Sequence, residues 1–230
     1  MRKRPPGAAG SLLRFDGVSR LVHWATAALV LTLVATGLIL YVPALSLAVG
    51  DRLAVEDLHI ACGLACGLPL ALGVSGPWGR RLRRDLASMN RMSAAERSWL
   101  RRPGHGGSAG LAKFNPGQKL NATAVAGLLV VLLATGILLR WGTGLAISWR
   151  TGATFVHDWF ALAISVLIVG HVLFALVHPG ALRSMVTGRV SRSWQLRHAP
   201  GWQPLPDEAL AGEPAPVVRA LGEKRRARAR

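Results

Sequence analysis

Thr154-Phe-Val-His-Asp-Trp-Phe-Ala-Leu-Ala-Ile-Ser-Val-Leu-Ile-Val-Gly-His-Val-Leu-Phe-Ala-Leu-Val177 decides the architecture. A helix that crosses the hydrocarbon core needs about 20 mostly apolar residues. This run supplies them with a single carboxylate, Asp158, near its start. It also carries two histidines, His157 and His171, 14 residues apart. At about 1.5 Å per residue that spacing is roughly 21 Å of depth, and at 3.6 residues per turn it is about 3.9 turns, so both histidines share one helix face.

Working outward, three more runs have the same character, at about 21–42, 54–75 and 120–140. Asp57 lies near the start of the second. The expected fold is therefore an all-α membrane protein, a bundle of four transmembrane helices. The chain has 230 residues, 51% hydrophobic and only 17% charged, with a net charge of +17. Such a basic excess can mark a nucleic-acid binder. Here the bases fall in three blocks separated by long apolar stretches, which points to a membrane protein and to no nucleic-acid partner. Met1-Arg-Lys-Arg4 imitates the start of a signal peptide, but Pro5 to Gly10 intervene and the Leu21–Val42 run is too long for an h-region. The expectation is a retained first span.

Orientation follows from the bases flanking the spans. The segment before the first run, the segment from Arg80 to Lys119 and the region from Arg183 onward hold 25 Lys and Arg, against three (Arg52, Arg140, Arg150) in the two other loops. Both termini and the 76–119 segment are thus expected in the cytoplasm. Trp141, Trp149 and Trp159 mark the opposite boundary as an aromatic belt. The expected plan is a cytoplasmic segment over 1–20, a membrane domain over 21–200 and a basic cytoplasmic tail over 201–230, expected to be disordered. The five bases from Lys224 to Arg230 suit anionic lipids of the inner leaflet. Part of the 80–110 loop, near 85–102, is compatible with helix along the inner surface.

Cys62 and Cys66 are the only cysteines, too few and too close for a disulfide framework or a zinc site, and no CxxCH is present for covalent haem. They read as small packing residues. The histidines carry more. An ionisable side chain at membrane depth is costly and is a functional candidate by default. Depth places His23 near the cytoplasmic end of the first span, His59 near the outer end of the second, and His157 and His171 near the outer and inner ends of the fourth. Two pairs follow: His23 with His171 inside, His59 with His157 outside. Neutral imidazoles facing each other in a bundle core can ligate a haem iron, so four such histidines point to two haem b groups at two depths. Gly37, Gly63 and Gly136 give a flat macrocycle room against the helices. The competing reading for any one histidine is a hydrogen bond between helices. His105, His178 and His198 lack such pairing. His178 reads as interfacial, and the other two as solvated.

Three stretches carry a resemblance: Arg20-Leu-Val-His-Trp24, Lys113-Phe-Asn-Pro-Gly-Gln-Lys119, and His171 onward to Met185-Val-Thr-Gly-Arg-Val-Ser-Arg-Ser-Trp194. Through them the chain resembles the cytochrome b (gamma) subunit of respiratory formate dehydrogenases over about residues 14–205. The resemblance implies haem ligation by His23, His59, His157 and His171, in the same pairs. It also implies a quinone site near the cytoplasmic haem, carried by Asn115, Gly117, Gln118 and His171. Pro116 departs from the family pattern. Read without the resemblance, Asn115-Pro116-Gly117 is a helix-start turn.

The resemblance further implies an iron–sulfur beta subunit and a molybdenum- or tungsten-containing alpha subunit on the outer face. Electrons from formate would cross to menaquinone or ubiquinone in the bacterial inner membrane during anaerobic respiration. Formate oxidation would belong to the alpha subunit, because this chain has no catalytic constellation of its own, while quinone reduction would take place here. The alternatives are the equivalent subunit of a nickel–iron hydrogenase or a thiosulfate reductase, since function lives in sites rather than folds, and a haem-free four-helix transporter or sensor.

Overall fold

The computed structural model of the chain describes residues 11–101 and 110–205. His105 and the tail from 206 onward, on which the expectations of a solvated histidine, a disordered tail and lipid-facing bases at 224–230 fall, lie outside the described residues. The described residues form two compact units.

The larger unit comprises residues 17–91 and 117–177. It holds α1 (Gly17–Tyr41), the short α2 (Pro43–Val49), α3 (Arg52–Ala65), α4 (Leu68–Ser75), a 3-10 turn at Pro77–Gly79, α5 (Arg80–Met89), α7 (Pro116–Trp141, which starts one residue earlier in the chain) and α8 (Ile147–Val177). Four stretches among the described residues are long and apolar enough to cross a membrane: α1, α3 with α4, α7 and α8. At 25 residues, α1 is about 37 Å long, enough for a hydrocarbon core of about 30 Å. Large apolar side chains point outward along these helices: Val130, Val166 and Leu173 are 68%, 63% and 58% exposed. In water such a surface would aggregate, and in lipid it is solvated. Hydroxyls on these helices can return their protons to their own backbone, which suits a lipid-embedded helix. Thr32 bonds to the Ala28 carbonyl and Ser165 to that of Ala161.

The second span is interrupted. α3 stops at Ala65, Cys66 and Gly67 turn, and Pro69 stands in the first turn of α4. Proline suits that position, since its missing N–H is one of the unbonded donors of a helix start. Asp51 caps α3 by accepting from the Ala54 N–H, and Arg52 reaches back to the Leu40 carbonyl. Beyond α4, Arg83 donates to the Val74 and Gly76 carbonyls, so an arginine satisfies the orphan acceptors at the end of a span. α5 buries Leu82 and Asp85 and exposes Arg83 and Arg84, a two-faced helix.

The smaller unit comprises residues 11–16, the described part of 92–116, and 178–205. It contains α6 (Ala94–Arg101), α9 (Pro179–Thr187) and α10 (Arg192–His198), with β1 (Ser11–Leu13) antiparallel to β2 (Arg189–Ser191). Leu12, Val190, Ala199 and Trp202 form its core, with Trp194 packed against it. Gly188 ends α9 with φ 79°, a left-handed cap that favours glycine. Its carbonyl then accepts from the Arg14 and Phe15 N–H groups. α6 begins with a capping box, Ser93 and Glu96 each taking the other's backbone N–H.

Candidate functional site

The four span histidines all fall in the larger unit, on α1, α3 and α8. His157 and His171 share the unbroken α8. The structure brings the rings together in two pairs. His23 faces His171 with ring centres 6.2 Å apart and planes at 57°. His59 faces His157 at 6.3 Å and 62°. Along α8 the two pairs lie roughly 21 Å apart.

The surroundings of the pairs differ. At the His59–His157 level each ring meets a threonine: Thr36 Oγ1 is 2.8 Å from His59 Nδ1, and Thr135 Oγ1 is 2.9 Å from His157 Nδ1. Each threonine precedes a glycine, and a Cβ at Gly37 or Gly136 would sit 3.5 Å from the Cε1 of that same imidazole. The glycine of the second span named in the sequence, Gly63, faces Leu33 rather than a histidine. At the other level His23 packs edge-on against Trp24, ring centres 5.2 Å apart.

The other two described histidines, His178 and His198, stand apart from these pairs. His178 is the residue before α9, and His198 stacks on Trp194 at 4.8 Å with its Nδ1 beside the Trp194 carbonyl. Cys62 and Cys66 are free thiols. Asn115 and Pro116 form the start of α7, with Gly117 and Gln118 in its first turn. Lys119 extends its Nζ to the Arg91 carbonyl at 2.7 Å.

Of the stretches that carry the resemblance, residues 20–24 lie in the larger unit, while residues 113–116 and 185–194 lie in the smaller. The Arg14 guanidinium lies over the rings of Trp194 (4.5 Å) and Phe15 (5.0 Å), and donates to Ser184 Oγ and to the Lys113 carbonyl, 3.2 Å each. Phe114 packs on Phe15, and Lys113 sits over Trp202.

The family model for prokaryotic cytochrome b561 matches residues 14–188, most of the chain and all four spans. The chain belongs to the prokaryotic cytochrome b561 family. As a cytochrome b561 it is a multi-pass protein of the bacterial inner membrane, and haem b is the prosthetic group its family implies. The residues fit that group. A metal–imidazole bond is about 2 Å and the ligating nitrogen lies about 1.1 Å from its ring centre, so two imidazoles on one iron hold their centres about 6.2 Å apart. Both histidine pairs stand at that separation.

Two curated relatives extend the comparison. The chain is 28% identical over 98 residues to the nitrate-inducible formate dehydrogenase cytochrome b556(Fdn) subunit of Escherichia coli (strain K12), covering 41% of this chain and 45% of that protein. It is 30% identical over 93 residues to the formate dehydrogenase cytochrome b556(fdo) subunit of the same strain, covering 39% and 44%. The chain thus spans less than half the length of the curated relatives it matches.

Proposed function

We propose that this cytochrome b561 is the membrane subunit of a formate dehydrogenase and conducts electrons between two haem b groups to quinone. The observation that carries the reading is the two facing histidine pairs at one metal's spacing, stacked along α8. The likeness to formate dehydrogenase cytochromes supports formate dehydrogenase as the partner.

When bound, two haems supply one-electron centres at two depths. His59 and His157 would hold one, and His23 and His171 would hold the other. Neutral imidazoles suit this task because they ligate iron without adding charge at membrane depth. The excess of bases argues that both termini are cytoplasmic, so that His59 and His157 face the outer side, toward an iron–sulfur subunit and a molybdenum- or tungsten-containing subunit. The assignment of Asn115, Gly117, Gln118 and His171 to menaquinone or ubiquinone rests on the resemblance. Reducing a quinone takes two protons as well as two electrons, and a side-chain amide can hydrogen-bond a quinone carbonyl.

The test is an optical redox difference spectrum of membranes containing the protein with its partners, reduced with dithionite and separately with formate. A b-type band with both reductants is the expected result. A band with dithionite alone would transfer the chain to another donor, such as a hydrogenase. No band in folded protein would overturn the haem assignment.

A further inference from the structure

The stretch Val34-Ala-Thr-Gly-Leu-Ile-Leu40 in α1 is echoed by Leu133-Ala-Thr-Gly-Ile-Leu-Leu139 in α7. Both copies do the same thing to a histidine of a different helix. The threonine hydroxyl meets Nδ1, at 2.8 Å for His59 and 2.9 Å for His157. The glycine beside it faces Cε1 of that ring, which a Cβ there would touch at 3.5 Å. In these two places a threonine–glycine pair seats an imidazole, one for each ring of the His59–His157 pair.

The hydroxyl's own proton is committed. Thr36 Oγ1 lies 2.7 Å from the Thr32 carbonyl, and Thr135 Oγ1 lies 2.8 Å from the Val131 carbonyl. A carbonyl can only accept, so the hydroxyl donates to it and receives from the ring. Nδ1 then carries the hydrogen, and Nε2 is left with its lone pair. The outside partner of a ligating histidine fixes its tautomer and orientation and raises its basicity. A hydroxyl that is itself donating is a better acceptor, because hydrogen bonds in a chain polarise one another.

We infer that Thr36 and Thr135 are positioning residues for the haem of His59 and His157, holding both imidazoles with Nε2 toward the iron and lowering that haem's reduction potential. The inference rests on the proposed haem reading. A more basic imidazole stabilises ferric over ferrous iron, which sets the sign. Among the described residues, His23 and His171 make no hydrogen bond of this kind, so the device acts on one haem and not the other. Lowering the potential at the His59–His157 level steepens electron passage toward the His23–His171 level.

The experiment is a potentiometric optical titration with low-temperature electron paramagnetic resonance on the full chain purified in detergent. Wild type is compared with Thr36→Val, Thr135→Val and the matching Thr→Ser variants, and the valine changes are repeated in a His23→Ala background that retains only the His59–His157 haem. Valine keeps the shape and removes the hydroxyl, while serine keeps the hydroxyl. Each valine variant should retain both haems, raise the midpoint of the same one, and shift its low-spin signal. Serine should restore wild-type values, and the shift should persist in the His23→Ala background. Loss of that haem in valine but not serine variants also upholds the inference. Valine variants that titrate like wild type with both haems present overturn it alone, as does a defect that serine shares. Wild-type protein without haem overturns the haem reading and this one together.

Discussion

Gly73 of α4 lies so close to Val22 of α1 that a Cβ there would sit 2.5 Å from Val22 Cγ2 and 3.0 Å from Leu82 Cδ2. Valine is stiff about χ1 and cannot swing aside. The glycine is what lets α4 meet α1 at this depth. Gly73→Ala should therefore destabilise the larger unit by about 1–3 kcal/mol, the usual range for overpacking. Thermal denaturation in detergent, followed by circular dichroism, measures it. Unchanged stability would mean that the helices slide apart at no cost.

The facing rings make a paired prediction about haem content. His59→Ala and His157→Ala should each remove the same haem, and His23→Ala and His171→Ala should each remove the other. Haem-to-protein ratios and the residual optical spectrum read the outcome. Different residual spectra for His59→Ala and His157→Ala would break the pairing.

Gly136 offers a graded test. An added Cβ would reach the His157 ring at 3.5 Å, an ordinary contact. Gly136→Ala should therefore leave haem content near wild type, whereas Gly136→Leu should drive the ring aside and remove one haem of two. Full haem content in Gly136→Leu, measured on purified protein, would count against the close seat.

The histidine spacing in the fourth run was legible because helical rise converts sequence separation directly into depth. The ring facing each histidine could be named by depth alone. Other features were hidden for physical reasons. α8 begins at Ile147, seven residues before the apolar run, because Trp149, Arg150 and Thr151 continue the helix without adding hydropathy. The break at Cys66–Gly67 had a visible signal in Pro69, masked by the unbroken apolarity around it. Thr36 and Thr135 escaped because a mid-helix threonine usually bonds its own backbone. These two do so as well, and only the fold reveals the second partner. The pairing of Leu12 with Val190 joins residues too distant in sequence for any local pattern to announce.

Arg14 is 3% exposed and ties four parts of the smaller unit together through Trp194, Phe15, Ser184 and the Lys113 carbonyl. Arg14→Ala should lower the stability of that unit by about 3 kcal/mol, from lost cation–π contact and charge-assisted hydrogen bonds. Arg14→Lys should recover little, because an ammonium lacks the planar fork. Limited proteolysis of the purified chain, read as the rate of cleavage within 178–205, would show it. Wild-type resistance in Arg14→Ala would remove the arginine from this role.

The antiparallel clasp of Ser11–Leu13 with Arg189–Ser191 orders the protein's biogenesis. Its first strand leaves the ribosome before the first span, and its second strand only after the last. During synthesis Leu12 must wait, without its partner, until all four helices have been delivered to the bilayer. A nascent chain halted after its fourth span but before residue 189 therefore leaves Leu12 without its strand partner.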